Sequence, residues 1–127
     1  MKTNHKHTNL EDRLIRFGVN VVTIGSKLQL RQELKGVTDQ ILRSGISCPL
    51  NYSEALHSES KKDFIHKMKI TLKELRETFT ALRILIEIPG IQYLNELRSL
   101  KAENNELLSI FVTSVKTAQR NLLNERK

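Results

Sequence analysis

The stretch Ser60–Gly90, SKKDFIHKMKITLKELRETFTALRILIEIPG, decides the fold. Ile65, Met68, Leu72, Leu75, Phe79, Leu82 and Ile86 follow one another at steps of 3, 4, 3, 4, 3 and 4. On an α-helix this spacing gathers them on one side, whereas on a strand it would scatter them over both faces. Phe64 and Leu85 broaden the stripe. Ser58 and Ser60 both suit an N-cap, and Ser60-x-x-Asp63 has the form of a capping box with Asp in place of Glu. Pro89-Gly90 stops the helix and turns the chain.

Working outward, Leu10, Leu14, Phe17, Val21, Ile24 and Leu28 step by 4, 3, 4, 3 and 4 and predict a first helix from about Leu10 to Leu30. Gly18 and Gly25 lie on one flank of it and point to a neighbouring helix that comes close. A second helix starts near Arg31 with the seam Leu34, Val37, Ile41, Ser44 and Cys48. Pro49 lacks an amide donor and is expected to end or kink it near Ser47, with a short continuation over Asn51–Leu56. A fourth helix runs from about Gln92 to Asn124 on Leu94, Leu97, Lys101, Asn104, Leu108, Phe111, Val115, Ala118 and Leu122. Lys101 and Asn104 interrupt that seam, as polar positions that fix register do. The expected fold is all-α: an antiparallel up-down-up-down four-helix bundle with a kinked second helix. Residues 10–127 form the bundle domain, and residues 1–9 read as a flexible N-terminal arm.

Composition narrows the function classes. The chain has 127 residues, 39% hydrophobic and 28% charged, enough for a core and too apolar for disorder. Five Gly and two Pro are too few for a sandwich or barrel of tight turns. The single cysteine, Cys48, excludes an intrachain disulfide and a CxxC metal knuckle. It lies on an apolar seam and reads as a small core residue rather than a nucleophile. His5 and His7 are too few for a metal site. Asp63-x-x-His66 occurs once, where a di-iron bundle needs such a motif twice. The phosphate-loop, dinucleotide, zinc-protease and nucleophile-elbow motifs are missing. We therefore expect no enzyme activity, no cofactor and no metal. No apolar run is long enough to span a bilayer and Met1–Asn9 has no apolar signal core, so a cytoplasmic location is expected.

Charge carries what functional signal there is. Lys and Arg number 21 against 14 Asp and Glu, a formal net charge of +7. On the third helix, Lys62, His66, Lys69, Lys73, Arg76, Thr80 and Arg83 repeat at steps of 4, 3, 4, 3, 4 and 3, a second band beside the apolar one. The band is about 31 Å long at a rise of about 1.5 Å per residue. A track of one sign and that length suits several phosphates of RNA or DNA, with Arg13 and Arg16 of the first helix as further contacts. The same pattern also fits a solvated flank, or ion pairs to neighbouring helices. With aromatics at 5% and no Trp, base stacking would be sparse and sequence discrimination low.

A second cluster mixes both signs: Arg43, Ser44, Asn51, Tyr52, Glu54, Asp63, Glu74 and Glu77, with His66 and Lys67 beside it. It reads either as an active site built on His66 with Glu54 or Asp63, or as a structural polar network. The network is the reading adopted, with Arg43–Glu77 as one ion pair. Ile15, Val19 and Val22 on the first helix and Ile70, Ile84 and Ile88 on the third widen the apolar faces beyond one seam and point to self-association.

The segments Leu14-Ile15-Arg16-Phe17-Gly18-Val19, Leu42-Arg43-Ser44-Gly45-Ile46-Ser47, Asn51-Tyr52-Ser53-Glu54-Ala55, Ser60-Lys61-Lys62-Asp63-Phe64-Ile65-His66-Lys67 and Leu72-Lys73-Glu74-Leu75-Arg76-Glu77-Thr78 occur in this order. Together they resemble the bacterial four helix bundle proteins, also called the 23S rRNA-intervening-sequence proteins. The likeness covers roughly Leu10 to Lys116. It implies a four-helix protomer assembled as a homopentamer. The accessory protein of diversity-generating retroelements, which works with a reverse transcriptase on nucleic acid, resembles the same family. The chain departs at Cys48-Pro49-Leu50, where the family usually has a small, Gly-containing stretch. Two functions follow as expectations. One is a homo-oligomer that binds RNA or DNA with low specificity through basic helix faces. The alternative is a scaffold or accessory subunit that docks an acidic partner or a polymerase.

Overall fold

A computed structural model describes residues 5–126 of the chain. Its helices are α1 (His5–Leu28), α2 (Lys35–Leu56), α3 (Lys61–Glu87) and α4 (Leu94–Glu125), with a single 3₁₀ turn, Gln32–Leu34, before α2. Among the described residues there is no strand. Helix α1 begins at His5, earlier than its apolar seam requires. Positions 1–4 of the N-terminal arm, and the side chains of His5 and His7, lie outside the described residues.

Direction follows from the contacts. Along α1 and α2, Gly18 faces Pro49, Val21 faces Gly45 and Gly25 faces Leu42. Ser44 meets Thr78 and Glu54 meets Lys67 between α2 and α3. Arg13 meets Glu103 between α1 and α4. Between α1 and α2 and between α2 and α3 the numbers rise on one helix and fall on the other, as they do between α3 and α4, where Lys61 meets Glu125 and Leu75 meets Asn104, so sequential helices are antiparallel. α2 packs most extensively on α3, α3 on α4 and α1 on α2, while the α1–α4 edge is the loosest. α1 and α3 sit diagonally across the bundle.

Leu14, Phe17, Val21 and Leu28 of α1, Ile41 and Cys48 of α2, Leu75, Leu82 and Leu85 of α3, and Leu97, Leu107 and Phe111 of α4 are buried in one core. The seam expected for α3 is buried except at Phe79 and Ile86, which are half-buried. A second stripe, Thr71, Glu74, Thr78 and Ala81, is buried beside it. On α4 the core takes Leu100 and Leu107 in place of Lys101 and Leu108. Ser60 caps α3, its Oγ accepting from Asp63 N at 3.0 Å, and Gly90 turns the chain at φ 72°.

Helix α2 does not end at Pro49, which lies inside it. One lost amide bond is set against burial along both faces of the helix. Side chains around Pro49 add bonds to neighbouring carbonyls, though not to Gly45 O, the one left without its amide: Asn51 Nδ2 donates to Ser47 O at 2.9 Å and Cys48 Sγ to Ser44 O at 3.3 Å. Gly45 lets α1 approach, since a Cβ there would stand 2.6 Å from Val21 Cγ1.

Candidate nucleic-acid interface

Because the core stripes of α3 face α2, α4 and the bundle centre, the helical period turns the cation stripe to solvent. Lys62, His66, Lys69, Lys73, Arg76, Thr80 and Arg83 are all exposed. Among the described residues Lys62, Lys69, Arg76 and Arg83 make no ion pair, and Lys73 reaches Glu77 only at 3.9 Å. The track therefore faces water rather than the carboxylates of neighbouring helices.

The two α1 cations do not join it. Arg16 is exposed, but α1 lies diagonally from α3. Arg13 donates from Nε and Nη2 to Glu103 at 3.0 and 2.8 Å, and from Nη2 to Glu106 at 3.0 Å. Hydrogen bonding to Glu103 leads the causes that raise its pKa above the ordinary arginine value. Its charge is neutralised within the fold, where it clamps the loose α1–α4 edge. Within one protomer Arg13 and Arg16 thus lie apart from the α3 cations, and Arg13 is already paired.

The mixed cluster separates into distinct units. Arg43 Nη2 donates to Glu77 Oε1 at 2.9 Å, and Gln40 Nε2 donates to the same oxygen at 3.1 Å. Arg43 Nη1 stands 3.7 Å from buried Glu74 Oε1. Behind them Thr78 Oγ1 meets Ser44 Oγ at 2.8 Å, next to Cys48. Burial, then the Glu74 charge, pushes the Cys48 thiol up to about 12. Further along, Lys67 Nζ donates to Glu54 Oε1 at 2.6 Å, which raises the lysine pKa. Tyr52 packs edge-on against Phe111 with ring centroids 5.4 Å apart, and burial raises its phenol pKa. Asn51 bonds within α2 and Asp63 sits in the first turn of α3. His66 is exposed, away from this buried group. Sequence reasoning passed over Thr38, Thr71 and Thr78, whose hydroxyls bond carbonyls of their own helices. Nothing in a lone threonine inside a helix marks it as buried.

Asn104 of α4 is fully buried. Its carboxamide, oriented by its neighbours, donates to Leu75 O at 3.1 Å and accepts from Phe79 N at 3.2 Å. It thus grips two main-chain groups of α3 one turn apart. Among the described residues no three His, Cys, Asp or Glu side chains gather as metal ligands, and no helix is long and apolar enough to cross a membrane.

A face of different character lies between α1 and α2. Ile15, Val19, Val22, Ile46 and Leu50, with Pro49, line an apolar groove of about 480 Å³. Ile15 and Val19 are each 50% exposed and Leu50 60%.

Comparison with known proteins agrees with this architecture. The model of the family described as "23S rRNA-intervening sequence protein" matches residues 8–113. A solved protein of unknown function from the S23 ribosomal protein family of Bacteroides thetaiotaomicron is 32% identical, with a TM-score of 0.77 over 84% of this chain and 98% of that one. No curated protein matches the chain.

Proposed function

Since the chain belongs to the 23S rRNA-intervening sequence protein family, we propose that it is a non-enzymatic homo-oligomer that binds RNA or DNA with low sequence specificity along α3. The observation that carries this reading is the exposed row Lys62, Lys69, Lys73, Arg76 and Arg83, nearly free of carboxylate partners. Cations held on one rigid helix release counterions when they meet phosphates. The band holds no Phe, Tyr or Trp, so contacts go mainly to the backbone and read little sequence.

Self-association is supported by the α1/α2 groove, whose branched side chains gain nothing from facing water. The family resemblance supports a pentamer, for which light scattering is expected to give about five times the 14.7 kDa chain. A monomer at micromolar concentration would overturn that part.

The binding part is tested by titrating a labelled single-stranded RNA of about 20 nucleotides at several salt concentrations. Four or five phosphate contacts give a log–log slope of about −3, or roughly a hundredfold loss between about 50 and 200 mM salt. Lys69→Glu, Lys73→Glu and Arg76→Glu together are expected to abolish binding with the helical circular dichroism unchanged. A flat salt dependence, or full affinity in the triple variant, refutes the reading.

A further inference from the structure

Between α2 and α3 runs another groove, of about 580 Å³, formed by Gly36, Val37 and Gln40 on one side and Thr80, Ala81 and Ile84 on the other. Its floor is apolar. A Cβ at Gly36 would meet nothing within 4 Å, so the missing side chain holds that end open. Ile84 is 48% exposed on the outer wall, although it belongs to no core stripe. Arg76 lines the groove and Arg83 adjoins Ile84, and neither has an ion pair among the described residues. The one acid in the lining, Glu77, is already held by Arg43, Gln40 and Lys73.

We infer that this groove docks an acidic amphipathic helix of a partner protein. An apolar stripe at helical spacing would cover Val37, Ala81 and Ile84 over two turns. Carboxylates beside the stripe would receive Arg76 and Arg83 in forked hydrogen bonds. Charge argues against the other occupants. The apolar α1/α2 face of a second copy brings no acid, and seating it here would bury two guanidinium groups unpaired. Nucleic acid would set phosphates or bare bases against an aliphatic wall without an aromatic platform. The inference stands apart from the nucleic-acid reading and survives its failure.

The test uses a fluorescein-labelled helical peptide of about 18 residues, with leucines along one stripe and glutamates on both flanks. Two controls are a scramble of the same composition and a version with lysine flanks. Anisotropy with the full chain is expected to show binding of the first peptide only. Ile84→Glu, and separately Gly36→Leu, which fills open space, are expected to weaken it at least about tenfold. Gly36→Leu is expected to leave RNA affinity unchanged. Equal affinity for the scramble reduces the groove to a polyanion surface and overturns the inference. So does loss of RNA affinity in Gly36→Leu, which gives the groove to nucleic acid. A smaller particle in light scattering for either variant gives it to a second copy and overturns it as well.

Discussion

The same chemical change, glycine to alanine, has opposite expected effects at two points of α2. At Gly45 a new Cβ would stand 2.6 Å from Val21 Cγ1 and 3.1 Å from both Val21 Cβ and Cγ2. Valine is stiff at χ1, and this one is fully buried, so relief requires the helices to part. Overpacking of this kind costs up to about 3 kcal/mol. Replacing glycine in a helix returns about 1 kcal/mol. The net loss for Gly45→Ala is about 2 kcal/mol. At Gly36 the Cβ meets nothing, so only the gain remains, about 0.5–1 kcal/mol. Gly25 falls between: its Cβ would meet Leu42 Cδ2 at 2.8 Å and Cγ at 3.0 Å, so relief takes a turn of this half-buried side chain about χ1 rather than a parting of the helices. Urea titrations followed by circular dichroism at one protein concentration should rank the variants Gly36→Ala, wild type with Gly25→Ala close to it, then Gly45→Ala, with unchanged slopes. For a chain of this size, the Gly45→Ala melting point should drop by roughly 6–10 °C. A Gly45→Ala protein as stable as wild type would refute the close approach of α1 and α2.

Three more predictions are independent of this series. Asn104→Ala removes a buried group bonded to two main-chain atoms of α3 and should cost about 2–3 kcal/mol in urea unfolding, whereas loss under about 0.5 kcal/mol would deny the bridge. Cys48 holds its proton up to about 12 in the fold against an ordinary value near 9, so its stabilising contribution is complete below pH 9 and is lost as pH rises toward 12. Iodoacetamide at pH 8.5 should accordingly modify the native chain at least about a hundredfold more slowly than the urea-unfolded chain, and comparable rates would place the thiol at the surface. Arg13→Ala releases the α1–α4 clamp; because the clamp is partly exposed, the cost should be only about 1 kcal/mol and should shrink with added salt, while a salt-independent cost would make its role one of packing.

Much of the bundle is legible because its helices end on chemical punctuation. Ser60 and Pro89-Gly90 mark both limits of α3 within a residue or two, and apolar spacing marks its inner face. The stripe that α3 turns to α2 is another matter. Thr71, Glu74, Thr78 and Ala81 are small or polar, so no hydrophobicity pattern announces their burial; only the neighbour makes them interior. Pro49 leaves an end and a kink both open for a related reason. Local sterics oppose a helix there, and packing along the whole of α2 outweighs them. The cation track of α3 can be read from spacing because exposure follows from the position of the core stripe. The assignment of Arg13 cannot, since its carboxylates come from a helix ninety residues later in the chain. The Asn104 grip is half legible: the polar interruption stands out in α4, but its main-chain partners on α3 do not.

The diagonal placement of α1 and α3 has a consequence for any assembly built through the α1/α2 groove. On the protomer that owns it, sealing that groove covers none of the α3 track, so wherever the next copy seals it with a face other than α3, every added copy contributes one more anchoring ridge. Such a particle would hold long strands far more tightly than short ones, because a strand that lets go of one ridge is still tethered by the next. Strand length, rather than base order, would then decide what stays bound.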